Sequence, residues 1–305
     1  MAWILPSLLA IGLALLVRSW RVPGLLAVGV AAVIPFLTPE DPQWLRLIVS
    51  ALAVVWSARA WERAHGREPD VSDAWRFWLW WGVPADARLP RDATEATKNR
   101  KRGLVRLGRA AIKLGVIVVV VVVNRSVDDI TASTIGFVAW SMAYLYACIS
   151  GIADTLTGIL MLTGLHMSES FEAPMLSRSP SEFWGRRWNR FVTRWAFRNV
   201  FIAAGGRRAP ARATMLVFVI SGLMHEYLLI ACQNGWSRYA GWTLAFFVIH
   251  GLAVVLGNAV QRTLPRAPAV LLHLVFLVAT TPLFVIPLDD AVGYSKWWTQ
   301  RCTKT

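Results

Sequence analysis

Long apolar blocks alternate with charged stretches along this chain of 305 residues. Most blocks approach the ~20 residues that a helix needs to cross the hydrocarbon core of a bilayer, and none alternates apolar and polar residues as a barrel strand does. Thr131–Leu165 is too long for one upright helix, so we expect a span that continues into a tilted or broken segment. The predicted spans are Met1–Val17, Val22–Leu37, Trp44–Ala60, Ala110–Val123, Thr131–Leu165, Thr214–Cys232, Trp242–Val260 and Pro268–Pro287.

Two long polar stretches, Trp61–Arg106 and His166–Arg212, interrupt the spans and are rich in arginine and tryptophan. Loops rich in Lys and Arg stay on the cytoplasmic side of a membrane. The pattern predicts an all-α, polytopic integral membrane protein of about seven to nine transmembrane helices with additional interfacial amphipathic helices. We expect a single membrane-embedded domain over residues 1–305, in which 1–165 supply N-terminal spans and 166–305 carry the chemical motifs.

The composition supports this interpretation, because 56% of the residues are apolar and only 16% are charged, against roughly 25% charged in soluble domains. The net charge of +14 would suggest nucleic acid in a soluble protein. Here the basic residues lie between spans, where they meet anionic headgroups. We therefore predict membrane lipids and no nucleic acid as partners. The heavy use of Arg, Ala and Val favours a bacterial inner membrane over an endoplasmic reticulum.

Polar residues inside predicted spans are the first candidates for chemistry. His225 lies near the centre of its span, and Ser221 lies one turn earlier on the same helix face. Glu226 is the next residue, and two adjacent ionisable groups indicate a polar cavity rather than lipid contact. For His250 and Asp154, a role in helix packing is as plausible as a chemical one.

A second constellation lies in the second polar stretch. Ser181 is expected to cap a helix with an acidic first turn. Aromatic residues then recur every three to four positions from Phe183, which predicts an amphipathic helix lying at the membrane interface. Asn189 follows the aromatic row and could turn inward as a hydrogen-bond donor. The aromatic row comprises Trp184, Trp188, Phe191 and Trp195, and the opposite face carries Arg186, Arg187, Arg190 and Arg194.

Two segments of these regions, FWGRRWN at residues 183–189 and SGLMHE at residues 221–226, together resemble the membrane-bound O-acyltransferases. The resemblance is to the plant-type wax synthase branch in particular. It covers roughly the C-terminal half, and the N-terminal half is similar only in being a set of spans.

The resemblance implies an acyl-CoA-dependent O-acyltransferase that transfers a fatty acyl group to a hydroxyl acceptor. A long-chain alcohol, giving a wax ester, is the expected acceptor, and sterols, diacylglycerol or a secondary metabolite stay open. The resemblance makes His225 the general base and Asn189 its partner. No metal or bound cofactor is expected, since acyl-CoA is a co-substrate. The expected substrate-binding residues are Trp184, Arg186, Arg187, Trp188, Ser221 and Glu226.

Three alternatives stay open at this point. The chain could be a transporter or channel with Asp154, His225 and His250 along a polar path, although no internal repeat supports this. It could be an inactive scaffold relative, against which the intact pair of motifs argues. His65 and Asp70 also fit the His-x4-Asp pattern of the glycerolipid acyltransferases, but their flanking sequence does not, and we interpret this match as chance.

Overall fold

The computed structural model describes residues 29, 32–38, 43–65, 88–126, 134–257 and 264–295. Within these ranges the protein is helical and contains no strand; one isolated antiparallel bridge joins Arg88 to His166. The all-α prediction is therefore confirmed. The helices are α1 (Gln43–Ala64), α2 (Ala93–Ser126), α3 (Thr134–Leu162), α4 (Arg190–Ala196), α5 (Pro210–Gln233), α6 (Trp242–Leu256), α7 (Arg266–Thr280) and α8 (Pro282–Val292).

Several of these helices fit a polytopic membrane protein. Among the described residues, α5 and the 28-residue stretch Ile135–Leu162 of α3 are long and apolar enough to cross a membrane. The bent pair α7–α8 provides a third span if it is counted as one, and Leu45–Ala58 of α1 and helix α6 are shorter apolar helices. The predicted span Met1–Val17 lies outside the described residues, as does most of Val22–Leu37.

Helices α2 and α3 pack against each other along their length. The basic run and the valine-rich block, which we predict separately, form one helix of 34 residues in α2. Helix α3 is unbroken over 29 residues, so of the two predicted alternatives, a tilted or a broken segment, the structure excludes the break. At 1.5 Å per residue α3 is about 43 Å long. It exceeds the ~30 Å hydrocarbon core, and tilting accommodates such a helix without a break.

The last predicted span, Pro268–Pro287, is not a single straight helix. Helices α7 and α8 meet at a bend of 41°, and Pro282 opens α8 directly after Thr281. Proline lacks the backbone N–H that would continue the hydrogen-bond ladder, and its ring clashes with the preceding turn. The bend therefore follows from Pro282, whose effect on the backbone is not part of the pattern of apolar residues.

The stretch predicted as one interfacial amphipathic helix is divided into short pieces. Ser179, not Ser181, is the N-cap, because its side chain accepts a hydrogen bond of 2.9 Å from the Glu182 N–H. A π-helical turn follows over Phe183–Arg187. The helical conformation is then interrupted at Asn189, whose φ of 38° lies in the left-handed region. Asn tolerates this region better than most residues. Helix α4 and a second π-helical turn, Phe197–Phe201, complete the segment.

Glycine permits a close approach of α5 and α6. A Cβ atom added at Gly222 would lie 2.7 Å from the Cδ1 atom of Leu244 and 3.0 Å from its Cα atom. One added at Gly251 would lie 2.9 Å from the Cβ atom of Phe218. Small residues let the backbones of membrane helices pack at short range. This packing brings the motif-bearing helix α5 against the start of α6.

Candidate functional site

A cavity of about 400 Å³ lies between α3, the motif segment around α4, α5, α6 and the α7–α8 pair. Its lining is mostly apolar and aromatic, with a few polar groups, which is the usual character of a small-molecule site. The lining includes Tyr146, Trp184, Trp188, Asn189, Ser221, His225, Phe247 and Phe284.

Helix α5 divides its surface between this cavity and the outside. Thr214, Val217, Ser221 and His225 line the cavity and recur every three to four residues, so they share one helix face. On another face Leu223 is 53% exposed. The helix therefore presents a stripe with polar members inward and an apolar stripe outward, as expected for a helix between a site and lipid.

His225 is held in one orientation. Its Nδ1 atom lies 2.7 Å from the carbonyl oxygen of Ser221. A carbonyl only accepts hydrogen bonds, so Nδ1 carries the proton and donates it. The Nε2 atom then has a lone pair, and it makes no hydrogen bond with any described residue. The imidazole packs against the rings of Phe247, at a centroid distance of 4.5 Å, and Phe284, at 5.5 Å.

Asn189 lines the same cavity as His225, although 36 residues separate them in the sequence. It is the N-cap of α4, where its Oδ1 atom accepts a hydrogen bond of 3.5 Å from the Val192 N–H. Its amide nitrogen has no hydrogen-bond partner within the described ranges. The left-handed backbone of Asn189 therefore both starts α4 and leaves an amide donor at the cavity.

The two tryptophans of the motif form an aromatic side of the cavity. Trp188 stacks on Phe183, with ring centroids 5.2 Å apart and an interplanar angle of 17°. Trp184 packs edge-on against Phe218 and donates its indole N–H to Nδ1 of His250 over 2.9 Å. Both predicted residues therefore line the cavity.

The predicted arginines occupy different positions. Arg186 is exposed and does not line the cavity. Arg187 donates from Nε to Glu182 over 2.8 Å and from a terminal nitrogen to the carbonyl oxygen of Glu172 over 3.1 Å. Burial alone would raise the pKa of Glu182, but the Arg178 N–H and the Arg187 guanidinium outweigh it and hold this pKa below its ordinary value. In this structure Arg187 thus holds the motif segment together.

The side chains of Glu226 and Ser221 also form hydrogen bonds with other groups of the protein. The buried carboxylate of Glu226 points away from the cavity and accepts hydrogen bonds from the Thr243 hydroxyl and, over 3.0 Å, from the Leu244 N–H. These groups belong to the first turn of α6, so Glu226 caps that helix from a neighbouring one. The Ser221 hydroxyl donates to the Val217 carbonyl over 2.8 Å, and the Ser221 carbonyl rather than its side chain orients His225.

Asp154 and His65, which the alternative hypotheses name, do not line the cavity that His225 lines. Asp154 accepts from Lys113 over 2.6 Å and lies 3.6 Å from Arg109, between α2 and α3 and outside the cavity lining. His65 is exposed and packs against Trp61, with ring centroids 4.3 Å apart and an interplanar angle of 30°. Asp70, its partner in the second acyltransferase pattern, lies outside the described residues.

Several aromatic residues of the cavity were not predicted from the sequence. Phe247 and Phe284 contact His225 from α6 and α8, and Tyr146 lines the cavity from α3. In an apolar span, nothing in the local pattern separates a phenylalanine that faces a site from one that faces lipid. The inward face of α5 was detectable, because Ser221 and His225 fix the phase of its helical period.

Residues 167–249 match the membrane bound O-acyl transferase family. The match includes Asn189, Trp184, Trp188, Ser221 and His225. The chain is also 30% identical over 149 residues to "Acyl-CoA--sterol O-acyltransferase 1" of Arabidopsis thaliana, covering 45% of this chain and 43% of that protein.

Two further relatives differ in the acceptor that their names give. "Probable long-chain-alcohol O-fatty-acyltransferase 2" of Arabidopsis thaliana is 32% identical over 143 residues, or 42% of this chain and 40% of the relative. "Probable alginate O-acetylase AlgI" of Pseudomonas syringae pv. tomato is 34% identical over 111 residues, or 34% of this chain and 20% of the relative. The chain thus spans less than half the length of these relatives. Their names share O-acyl transfer and differ in acceptor.

Proposed function

We propose that this protein is a membrane-embedded O-acyltransferase that moves a fatty acyl group from acyl-CoA to a lipid hydroxyl. The observation that carries the proposal is the convergence of His225 and Asn189 on one apolar cavity. The family match over residues 167–249 supports the same reaction class. The expectation that neither metal nor resident cofactor is needed stays a prediction.

In the proposed reaction His225 acts as the general base. With Nδ1–H bonded to Ser221, the lone pair on Nε2 takes the proton of the acceptor hydroxyl as its oxygen attacks the thioester carbonyl. The tetrahedral intermediate then collapses and its C–S bond breaks. The imidazolium returns the proton to the leaving CoA sulfur, so that ester and CoA thiol are the products.

Asn189 is the proposed partner at the developing oxyanion. Its amide nitrogen lies at the cavity without another partner among the described residues, while its Oδ1 atom is held by the first turn of α4. An amide donor fixed in this way stabilises negative charge more strongly in the reacting state than in the thioester. Loss of one such donor costs about 10²–10³-fold in kcat in well-studied hydrolases.

The chemistry of the cavity favours an apolar acceptor. Its aromatic and aliphatic lining suits an alkyl chain and offers few groups to bind a polysaccharide. We therefore propose a long-chain alcohol as the acceptor and a wax ester as the product, with sterols and diacylglycerol as the other lipid acceptors to compare. We place the enzyme in a bacterial inner membrane, on the composition described above; its relatives include plant and bacterial proteins.

The test is an acyl-transfer assay on the purified protein in detergent or lipid nanodiscs. Radiolabelled palmitoyl-CoA and acetyl-CoA are each offered with hexadecanol, cholesterol, diacylglycerol or alginate. We expect label from palmitoyl-CoA in the hexadecyl ester with the wild-type protein and none with His225→Ala. Label in alginate alone, or full activity of folded His225→Ala, would contradict the proposal.

Two variants control this assay. Asn189→Ala should reduce kcat by about 10²-fold or more if the amide stabilises the oxyanion. His65→Ala removes the exposed histidine of the second acyltransferase pattern and should leave the rate unchanged. Loss of transfer in His65→Ala with retention in His225→Ala would exchange the roles of the two histidines.

A further inference from the structure

A directional chain of hydrogen bonds runs behind the aromatic side of the cavity. The Trp184 indole N–H can only donate, so His250 accepts it at an unprotonated Nδ1, 2.9 Å away. His250 is then protonated at Nε2 and donates to the Thr280 hydroxyl over 2.9 Å. That hydroxyl in turn donates to the Phe276 carbonyl over 2.8 Å. Each donor along the chain therefore meets an acceptor.

This chain connects to the proposed base through ring packing. His250 is 0% exposed and does not line the cavity, whereas Trp184 does. Trp184 contacts Phe247 at a centroid distance of 5.7 Å, and Phe247 contacts His225 at 4.5 Å. The hydrogen bond to His250 thus fixes the rotamer of Trp184. The Trp184 ring in turn packs against Phe247, which is the ring that contacts His225.

A second buried histidine shows that this bonding is specific to His250. His273, on α7, is also 0% exposed, yet neither of its ring nitrogens has a hydrogen-bond partner in the described part of the chain. It meets the motif segment through ring packing with Phe183, at a centroid distance of 5.5 Å. The two histidines are alike in burial and differ in their bonds to the cavity lining.

We propose that His250 is a positioning residue, which locks Trp184 into the cavity lining and thereby shapes the site beside His225. This inference rests on the proposed acyl transfer. His250 touches neither substrate in this scheme and acts only through Trp184. Its side chain must accept one hydrogen bond and donate another, and must remain neutral to do both.

These requirements define the test variants. His250→Leu removes both hydrogen bonds, and His250→Gln can retain both, since an amide oxygen accepts and an amide nitrogen donates. Trp184→Phe removes the same bond from the other side. We expect His250→Leu to lower kcat about tenfold, because the hydrogen bond that fixes Trp184 in the cavity lining is lost. The KM for palmitoyl-CoA should change less than about threefold, since the apolar cavity remains.

A double-mutant cycle separates positioning from general destabilisation. If the bond between the two side chains carries the effect, adding Trp184→Phe to His250→Leu should lower kcat little further. His250→Gln should recover most of the wild-type kcat. His273→Leu, the matched control, should keep kcat within about twofold, because packing against Phe183 persists and no hydrogen bond to the lining is lost.

The hydrogen bond is also measured without acyl transfer. In the ¹⁵N-labelled protein, the indole N–H resonance that disappears in Trp184→Phe should move in His250→Leu and return in His250→Gln. If the wild type transfers no acyl group, the proposed function fails and the positioning role falls with it, while this resonance still reports whether the bond exists. If transfer occurs and folded His250→Leu has the wild-type kcat, or His273→Leu loses as much, the positioning role alone is overturned.

Discussion

Replacing Glu226 should destabilise the protein without removing any residue that lines the cavity. Both of its hydrogen bonds end on the same oxygen, Oε1, which accepts from the Thr243 hydroxyl and the Leu244 N–H. Glu226→Gln keeps an oxygen at that position, whereas Glu226→Ala leaves both donors without an acceptor. The two variants should therefore differ in stability.

The magnitude follows from the burial of the two donors. Thr243 is 1% exposed, so water cannot easily replace the lost acceptor. An unsatisfied buried donor costs about 1–3 kcal/mol, and a lost negative charge at a helix N-terminus adds about 0.3–1 kcal/mol. With two such donors and the lost charge, Glu226→Ala should thus lose about 2–7 kcal/mol, and Glu226→Gln, which loses only the charge, about 1 kcal/mol or less.

The assay measures folding and transfer separately. The midpoint temperature of unfolding is followed by size-exclusion chromatography of heated samples, and kcat is normalised to the protein that remains monodisperse. Glu226→Ala should lower the midpoint by about 5 °C or more, and Glu226→Gln should stay near the wild type. Both should retain transfer per folded molecule within about threefold, in contrast to His225→Ala.

Either of two results would refute this reasoning. If Glu226→Gln unfolds at the wild-type temperature but transfers no acyl group, the carboxylate has a part in substrate binding or chemistry, as the sequence motif alone suggests. Equal destabilisation by the two variants would show instead that the charge, rather than the acceptor at Oε1, holds the start of α6.

Three further predictions concern packing and charge. Gly222→Ala should lower the unfolding midpoint by the equivalent of about 1–3 kcal/mol, because the added methyl group meets the backbone of the facing helix; an unchanged midpoint would show that α5 and α6 can separate freely. Asp154→Asn should destabilise by about 3–5 kcal/mol, since it leaves the charge of Lys113 unpaired inside the membrane domain. Adding Lys113→Met should restore much of this stability, and both variants should retain acyl transfer, which a polar path through Asp154 would not allow. The lowered pKa of Glu182 in the fold means that its ionised form stabilises the protein above the ordinary carboxyl pKa of about 4.3. That stabilisation should be lost as the pH falls through the lower folded pKa, and Arg187→Gln should flatten this loss in unfolding midpoints measured from pH 7 to pH 3.5.

Whether a feature could be predicted from the sequence depended on whether its physical cause lies within one segment or in contacts between segments. Helices α5 and α6 follow from apolar blocks of spanning length, and no tertiary information is needed to place them. The break at Asn189 and the bend at Pro282 were accessible only in part. Proline is a recognisable position for a helix to end or restart, but Asn adopts the left-handed region only where the surrounding packing requires it.

The roles within the two motifs were less accessible than their presence. The sequence places Glu226 beside His225 and suggests a shared site, yet the two side chains point to different neighbours, His225 to the cavity and Glu226 to the start of α6. Adjacent residues diverge by about 100° around a helix. Which of the two faces the cavity is determined by the elements packed on each side.

By itself the sequence determined the class of protein and its two chemical segments. The length of the apolar blocks requires membrane helices, and a histidine in the middle of one is a candidate for chemistry. Only the tertiary structure brought His225 and Asn189 to one cavity. It also engaged Arg187 and Glu226 in hydrogen bonds to other groups of the protein. The hydrogen bond between Trp184 and His250 likewise exists only in the folded chain. The physical reason is that hydropathy and helical period act within a segment, whereas hydrogen-bond partners and cavity linings are contacts between segments that helix packing alone creates.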